Sequence, residues 1–151
     1  MINNEDIVEE LNELVKINND RIQGYEKAIE DTKDTELNGL FRQAVLQSQN
    51  FRSQLADHIV RIDGKAVSDA TSTDLSSKIH RAWIDIKAAL SGNDRDTVLG
   101  SVEFGENAAV EAYEDALDED DLPHHIKDVI ETQLADLRAT RDRVLSMRQS
   151  A

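Results

Sequence analysis

Apolar positions recur every three or four residues over four long stretches of the chain, which is the spacing of a helix with one buried face. The first stretch, residues 4–31, carries Ile7, Val8, Leu11, Leu14, Val15, Ile22, Tyr25 and Ile29, with Asn18-Asn19 interrupting the stripe halfway. The second, about 35–63, carries Leu37, Leu40, Phe41, Ala44, Phe51, Leu55, Ile59 and Ile62, and places Gln47, Ser48, Gln54 and His58 at or beside the same face. The third, about 94–118, reads Leu99, Val102, Glu106, Val110, Tyr113 and Leu117, with Glu103 alongside. In the fourth, about 122–148, Ile126, Val129, Ile130, Leu134, Leu137, Val144 and Met147 form the stripe, and Gln133, Thr140 and Arg141 lie at or next to it. Each stretch predicts a helix.

The punctuation agrees with that division. Asn3 or Asn4 can cap the first helix, with Glu5 and Asp6 in its first turn, where acids complement the helix dipole. Asp34 or Thr35 can cap the second, and Leu122-Pro123 can open the fourth, because proline is tolerated where the first amide has no partner. The polar link 31–35 is short, so the first two helices are expected to be antiparallel neighbours. Between the second and third helices the connection is far longer than a turn needs. It contains a further amphipathic segment at about 74–90, with Leu75, Ile79, Ala82, Trp83, Ile86, Ala89 and Leu90. Such a crossover returns the chain along the bundle and makes the third helix parallel to the second. The expected fold is therefore all-α, one domain over 1–151: a ferritin-like four-helix bundle with an additional helix in the long crossover.

Glu106 breaks the pattern of its own stripe. A carboxylate in a packed stripe is costly unless it is paired, hydrogen-bonded or bound to a metal, so it belongs either to a site or to a satisfied polar layer. The stretch around it is also half of an internal repeat. At an offset of 88 residues Asn19 lies over Asn107, Tyr25 over Tyr113, Glu26 over Glu114 and Ala28 over Ala116, while Asn18 lies over Glu106 itself. Such a period fits two helix pairs of one bundle.

Composition removes several classes of function. The chain has no cysteine, hence no disulfide, no thiolate metal site and no thiol nucleophile. Seventeen basic against 31 acidic residues give a net charge of −14, which repels nucleic acid and anionic lipid. No apolar run is long enough to span a membrane and the first residues are acidic, so a soluble, cytoplasmic protein is expected. No Ser-His-Asp arrangement or glycine-rich phosphate loop can be assembled.

Three segments carry a resemblance. Asn18-Asn-Asp with Gly24-Tyr-Glu-Lys-Ala28, Ile79-His-Arg-Ala-Trp83 running on to Ala89, and Glu103-Phe-Gly-Glu106 leading to Ala112-Tyr-Glu-Asp-Ala116 resemble an uncharacterised bacterial four-helix-bundle family with a ferritin-like fold, catalogued as a domain of unknown function. The resemblance implies a fold and carries no established activity. Ferritin-like di-iron proteins draw a glutamate from each of two helices and Glu-x-x-His from each of the others. Glu106 to Tyr113 repeats the ferritin spacing of seven between a glutamate and a tyrosine, and Asn18 to Tyr25 repeats it with an amide. The second helix offers Gln47-Ser-Gln-Asn50 and the fourth Asp136-Leu-Arg-Ala139, neither of them Glu-x-x-His.

Two readings follow. In the first, Glu106, with Glu103, pairs with Arg141 and with the amides of Asn18, Gln47 and Gln133 in an inherited polar layer; no cofactor is needed, and the protein is a non-enzymatic structural or partner-binding bundle, with a stress-related role suggested by the resemblance. In the second, Glu103 and Glu106 hold iron or another divalent metal, as a metal-binding protein or di-metal oxidoreductase derived from the ferritin pattern. His58, His80 and the adjacent His124-His125 add no closed metal site. A homodimer is the expected assembly.

Overall fold

The computed structural model describes residues 4–63, 83–84, 95–119 and 122–149. They form four long helices: α1 (Asn4–Asp31), α2 (Thr35–Asp63), α3 (Arg95–Leu117) and α4 (His124–Gln149). No strand occurs among the described residues. Of the expected crossover segment only Trp83 and Ile84 are described, both helical; the rest of it, with His80, lies outside the described residues.

Local chemistry sets the helix ends. Asp34 is the cap of α2: its carboxylate accepts from the Leu37 amide at 3.1 Å while its carbonyl accepts from Asn38 at 3.0 Å. The Leu37 amide, followed by Arg95, holds the Asp34 carboxyl below its ordinary pKa. Pro123 sits just ahead of α4, and its carbonyl accepts from the amides of Ile126 and Lys127. Gly39, in the exposed second turn of α2, faces open space. Gly39→Ala is accordingly expected to raise stability by roughly 0.5–1 kcal/mol, since it removes backbone freedom from the unfolded chain at no steric cost. Chemical denaturation of the variant beside the parent checks this.

Side-chain contacts between helices fix their directions. Along α1 and α2, Asn19 meets Arg52, Arg21 meets Ser48 and Tyr25 stacks near Phe41, so the two run antiparallel. Glu103 with Arg148 and Tyr113 with Gln133 make α3 and α4 antiparallel. Across the hairpins, Asn18 meets Tyr113 and Arg21 meets Glu106, while Gln43 meets Arg143 and Gln54 meets Gln133. Hence α1 is antiparallel to α3, and α2 to α4. It follows that α2 and α3 run in the same direction, and the stretch 64–94 joins opposite ends of the bundle.

One core lies between the two hairpins, built from the stripes: Leu11, Leu14, Phe41, Leu55, Leu99, Val102, Ile130 and Leu137 are all buried. Trp83 closes this core against α1. Its ring lies 5.5 Å from that of Tyr25, and it seats directly on Gly24, where a Cβ would stand 2.2 Å from Trp83 Cε3.

Candidate functional site

At mid-height the core turns polar. On α1, Leu14, Asn18, Arg21, Tyr25 and Ala28 follow each other at intervals of three or four and share one fully buried face. Arg21 and Glu106 are both completely shielded from solvent. Arg21 Nε donates to one Glu106 oxygen at 2.8 Å and Nη2 to the other at 2.8 Å, a fork-to-fork pair. The remaining guanidinium edge faces α2: Nη1 donates to Ser48 Oγ at 2.6 Å and Nη2 to Gln47 Oε1 at 3.1 Å. Gln47 Nε2 in turn donates to Thr140 Oγ1 at 3.2 Å, which carries the network to α4. Burial alone would lower the Arg21 pKa, but the Glu106 charge and its hydrogen bonds outweigh that and hold it above its ordinary value.

A second network sits one level away. Asn18 Nδ2 donates to the Leu14 carbonyl and to the Tyr113 hydroxyl, both at 2.9 Å. That hydroxyl donates to Gln133 Oε1 at 2.6 Å, and Gln133 Nε2 donates to Gln54 Oε1 at 3.0 Å and to the Phe51 carbonyl at 3.3 Å. Burial pushes the Tyr113 hydroxyl above the ordinary phenol range. The Tyr25 hydroxyl is raised too, first by burial and then by the nearby Glu106 charge, and it makes no hydrogen bond of normal geometry among the described residues.

Two expected placements are corrected. Arg141 does not pair with Glu106: it is partly exposed and turned toward its neighbour Asp142, at 3.4 Å. The position beside Glu106 is taken by Arg21, which reaches it from the facing helix α1 with every atom under cover. Glu103 is not in the polar layer either. One helical turn before Glu106 it leans outward, and Arg148 Nη1 donates to it at 2.8 Å. Asn18, Gln47 and Gln133 do lie in the polar core, but in two networks instead of one, and only Gln47 reaches the charged pair. Arg21 is the residue that the stripe reading missed. The signal was its spacing, three after Asn18 and four before Tyr25.

The donor set does not suit a metal. Both Glu106 oxygens are engaged by Arg21, Glu103 faces Arg148, and the other groups around the pair are a hydroxyl and neutral amides, poor ligands for iron. Among the described residues no three His, Asp or Glu side chains are grouped to hold a metal ion. His58 and His125 face each other at 6.1 Å between ring centroids at the far end of α2 and α4, and burial, then Arg61 and His125, lowers the His58 pKa.

Comparison with known proteins gives one match: the profile of a family described as Domain of unknown function (DUF2383) covers residues 6–119. The chain belongs to this family. The DUF2383 segment takes in α1 to α3, and with them Asn18, Arg21, Gln47, Ser48, Glu106 and Tyr113; α4, which supplies Gln133 and Thr140, follows it. No curated protein and no solved structure matches the chain. Among the described residues no helix is long and apolar enough to cross a membrane.

Proposed function

We propose that this DUF2383 protein is a ferritin-like bundle in which a guanidinium stands where a metal-binding relative would hold a cation, and that it serves as a non-enzymatic structural or partner-binding protein of the cytoplasm. The observation that carries the reading is the buried Arg21–Glu106 fork: the one fully buried carboxylate of the described core is neutralised from within the chain, at both oxygens. The shared direction of α2 and α3, with a long crossover joining them, supports the ferritin-like topology. The repeat supports descent from two related hairpins. Tyr113 of the second hairpin touches Asn18 of the first, and Tyr25, the counterpart of Tyr113, lies beside the Arg21 that holds Glu106, the counterpart of Asn18.

A closed polar core also lacks what chemistry needs. Arg21, Tyr25 and Tyr113 are each held in a form that does not exchange protons near neutrality, and the Arg21 and Tyr113 donors already have acceptors. The test is loading of untagged protein with Fe(II) under argon, followed by desalting and elemental analysis. Metal well below one equivalent per chain is expected. Near-stoichiometric iron or manganese would overturn the reading.

A further inference from the structure

Where α2 ends and α4 begins, two histidines from different hairpins face each other. His58, half-buried near the end of α2, and His125, exposed in the first turn of α4, stand with their ring centres 6.1 Å apart and their planes tilted by 42°. Neither imidazole makes a hydrogen bond or ion pair among the described residues, so their nitrogens are not committed to the fold. Beside them opens a cleft of about 390 Å³, lined by His58 with Asp57 and Arg61 of α2 and, across from these, by Asp128 and Thr132 of α4.

We propose that His58 and His125 take one divalent transition-metal ion of the zinc class between them, and that the ion ties α2 to α4 at this end of the bundle. The ring spacing suits it. Zinc binds an imidazole nitrogen at about 2.0–2.1 Å, which sets the ring centre ~3.2 Å from the ion, so two rings on one ion stand roughly 5–6.5 Å apart. The observed separation falls in that span.

The surroundings favour a cation of this class. Imidazole nitrogens select zinc, nickel and copper over magnesium and calcium, and only the unprotonated ring can bind. Burial, and after it the charges of Arg61 and His125, lowers the His58 pKa and so favours that form. Asp57 and Asp128 add negative charge to the cleft against the one positive charge of Arg61, and the chain's net charge of −14 draws cations at longer range. No third His, Asp or Glu completes a ligand set among the described residues, so water fills the ion's other positions and the site is open. It is also separate from the Arg21–Glu106 centre. Iron(II) ranks below zinc for such donors, and two imidazoles on an open surface are not expected to retain it through desalting.

The experiment is calorimetric titration of the untagged full chain, freed of metal by chelator and dialysed, with zinc chloride in a non-coordinating buffer, followed by thermal melts with and without the ion. One zinc per chain is expected, with a dissociation constant in the micromolar range and a higher melting temperature in its presence. His58→Ala and His125→Ala should each weaken binding about tenfold or more and remove the thermal gain, while the double variant does no worse than either, because one imidazole alone makes no bridge. His124→Ala should bind within about twofold of the parent, since His124 points about 100° away from His125 around the helix. None of the three side chains is part of the core, and circular dichroism of each variant confirms intact helices. Two rings in plain aromatic contact would bind no zinc saturably, and that result overturns the proposal. So does zinc binding that either His58→Ala or His125→Ala leaves unweakened, or that His124→Ala weakens as much as they do.

Discussion

Arg21→Met is expected to cost about 3–5 kcal/mol of folding stability, because it strands the Glu106 carboxylate in a fully buried place with both oxygens unpartnered. Glu106→Leu should cost a similar amount from the other side, leaving a guanidinium to face only Ser48 and Gln47. Set against the ~5–15 kcal/mol that separates a folded domain from its unfolded chain, either change alone removes a large share of the margin. The double variant is the informative one. With both charges gone the site holds two apolar side chains of comparable bulk, and the loss should fall well short of the sum of the single effects, giving a coupling of several kcal/mol. Guanidinium denaturation of the four proteins measures it. Effects that add within about 0.5 kcal/mol would show that the pair is not the internal neutralisation described above.

Gly24→Ala should destabilise the protein by roughly 1–3 kcal/mol, although the same change in an ordinary helix interior would stabilise it by about 0.5–1 kcal/mol. The sign turns on Trp83. An added methyl would fall 2.2 Å from Cε3 and 2.6 Å from Cζ3 of the indole, a rigid ring that cannot fold aside as a flexible chain end could. Either the ring leaves its seat on Tyr25 or α1 shifts, and both loosen the packing at that edge of the core. Trp83 is the sole tryptophan, so its fluorescence reports the displacement directly, and a shift to longer wavelength is expected. In a Trp83→Ala background the obstacle is gone, and Gly24→Ala should revert to its ordinary small gain. Should the single change stabilise the parent protein, the close seating of Trp83 on α1 would be wrong.

The four helices were legible because their apolar spacing, the Asp34 cap and the proline before α4 all point the same way. The partner of Glu106 was not. Arg21 sits in the run Asn18-Asn19-Asp20-Arg21, which a hydropathy pattern reads as a solvated gap in the stripe, whereas Arg141 lies beside Leu137 and Val144 in plain view of the core. Periodicity assigns residues to a face. Which of two arginines reaches a given carboxylate depends on which helices face each other and at what height, and that is set by packing across the bundle. The repeat held a clue in hindsight: Arg21 lies over Ala109, and Gly24 over Ala112, so the first hairpin departs from the second at the two places where something extra is accommodated. At the first it is the guanidinium; at the second it is the indole.

Because each of the four long helices is flanked by two of the others that run oppositely, the ends of the bundle they form are electrically mixed. Each end gathers two amino-terminal and two carboxy-terminal helix turns, whose partial charges of about +0.5 and −0.5 alternate around the rim and largely cancel. The side chains follow the alternation. Arg148, in the last turn of α4, reaches across to Asp96 in the first turn of α3, so one exposed ion pair complements two dipoles of opposite sense at once. Among the described residues, neither end of the bundle therefore offers an approaching anion a field of oriented amides. The acidic character of the molecule is carried by its side chains alone, where salt can screen it.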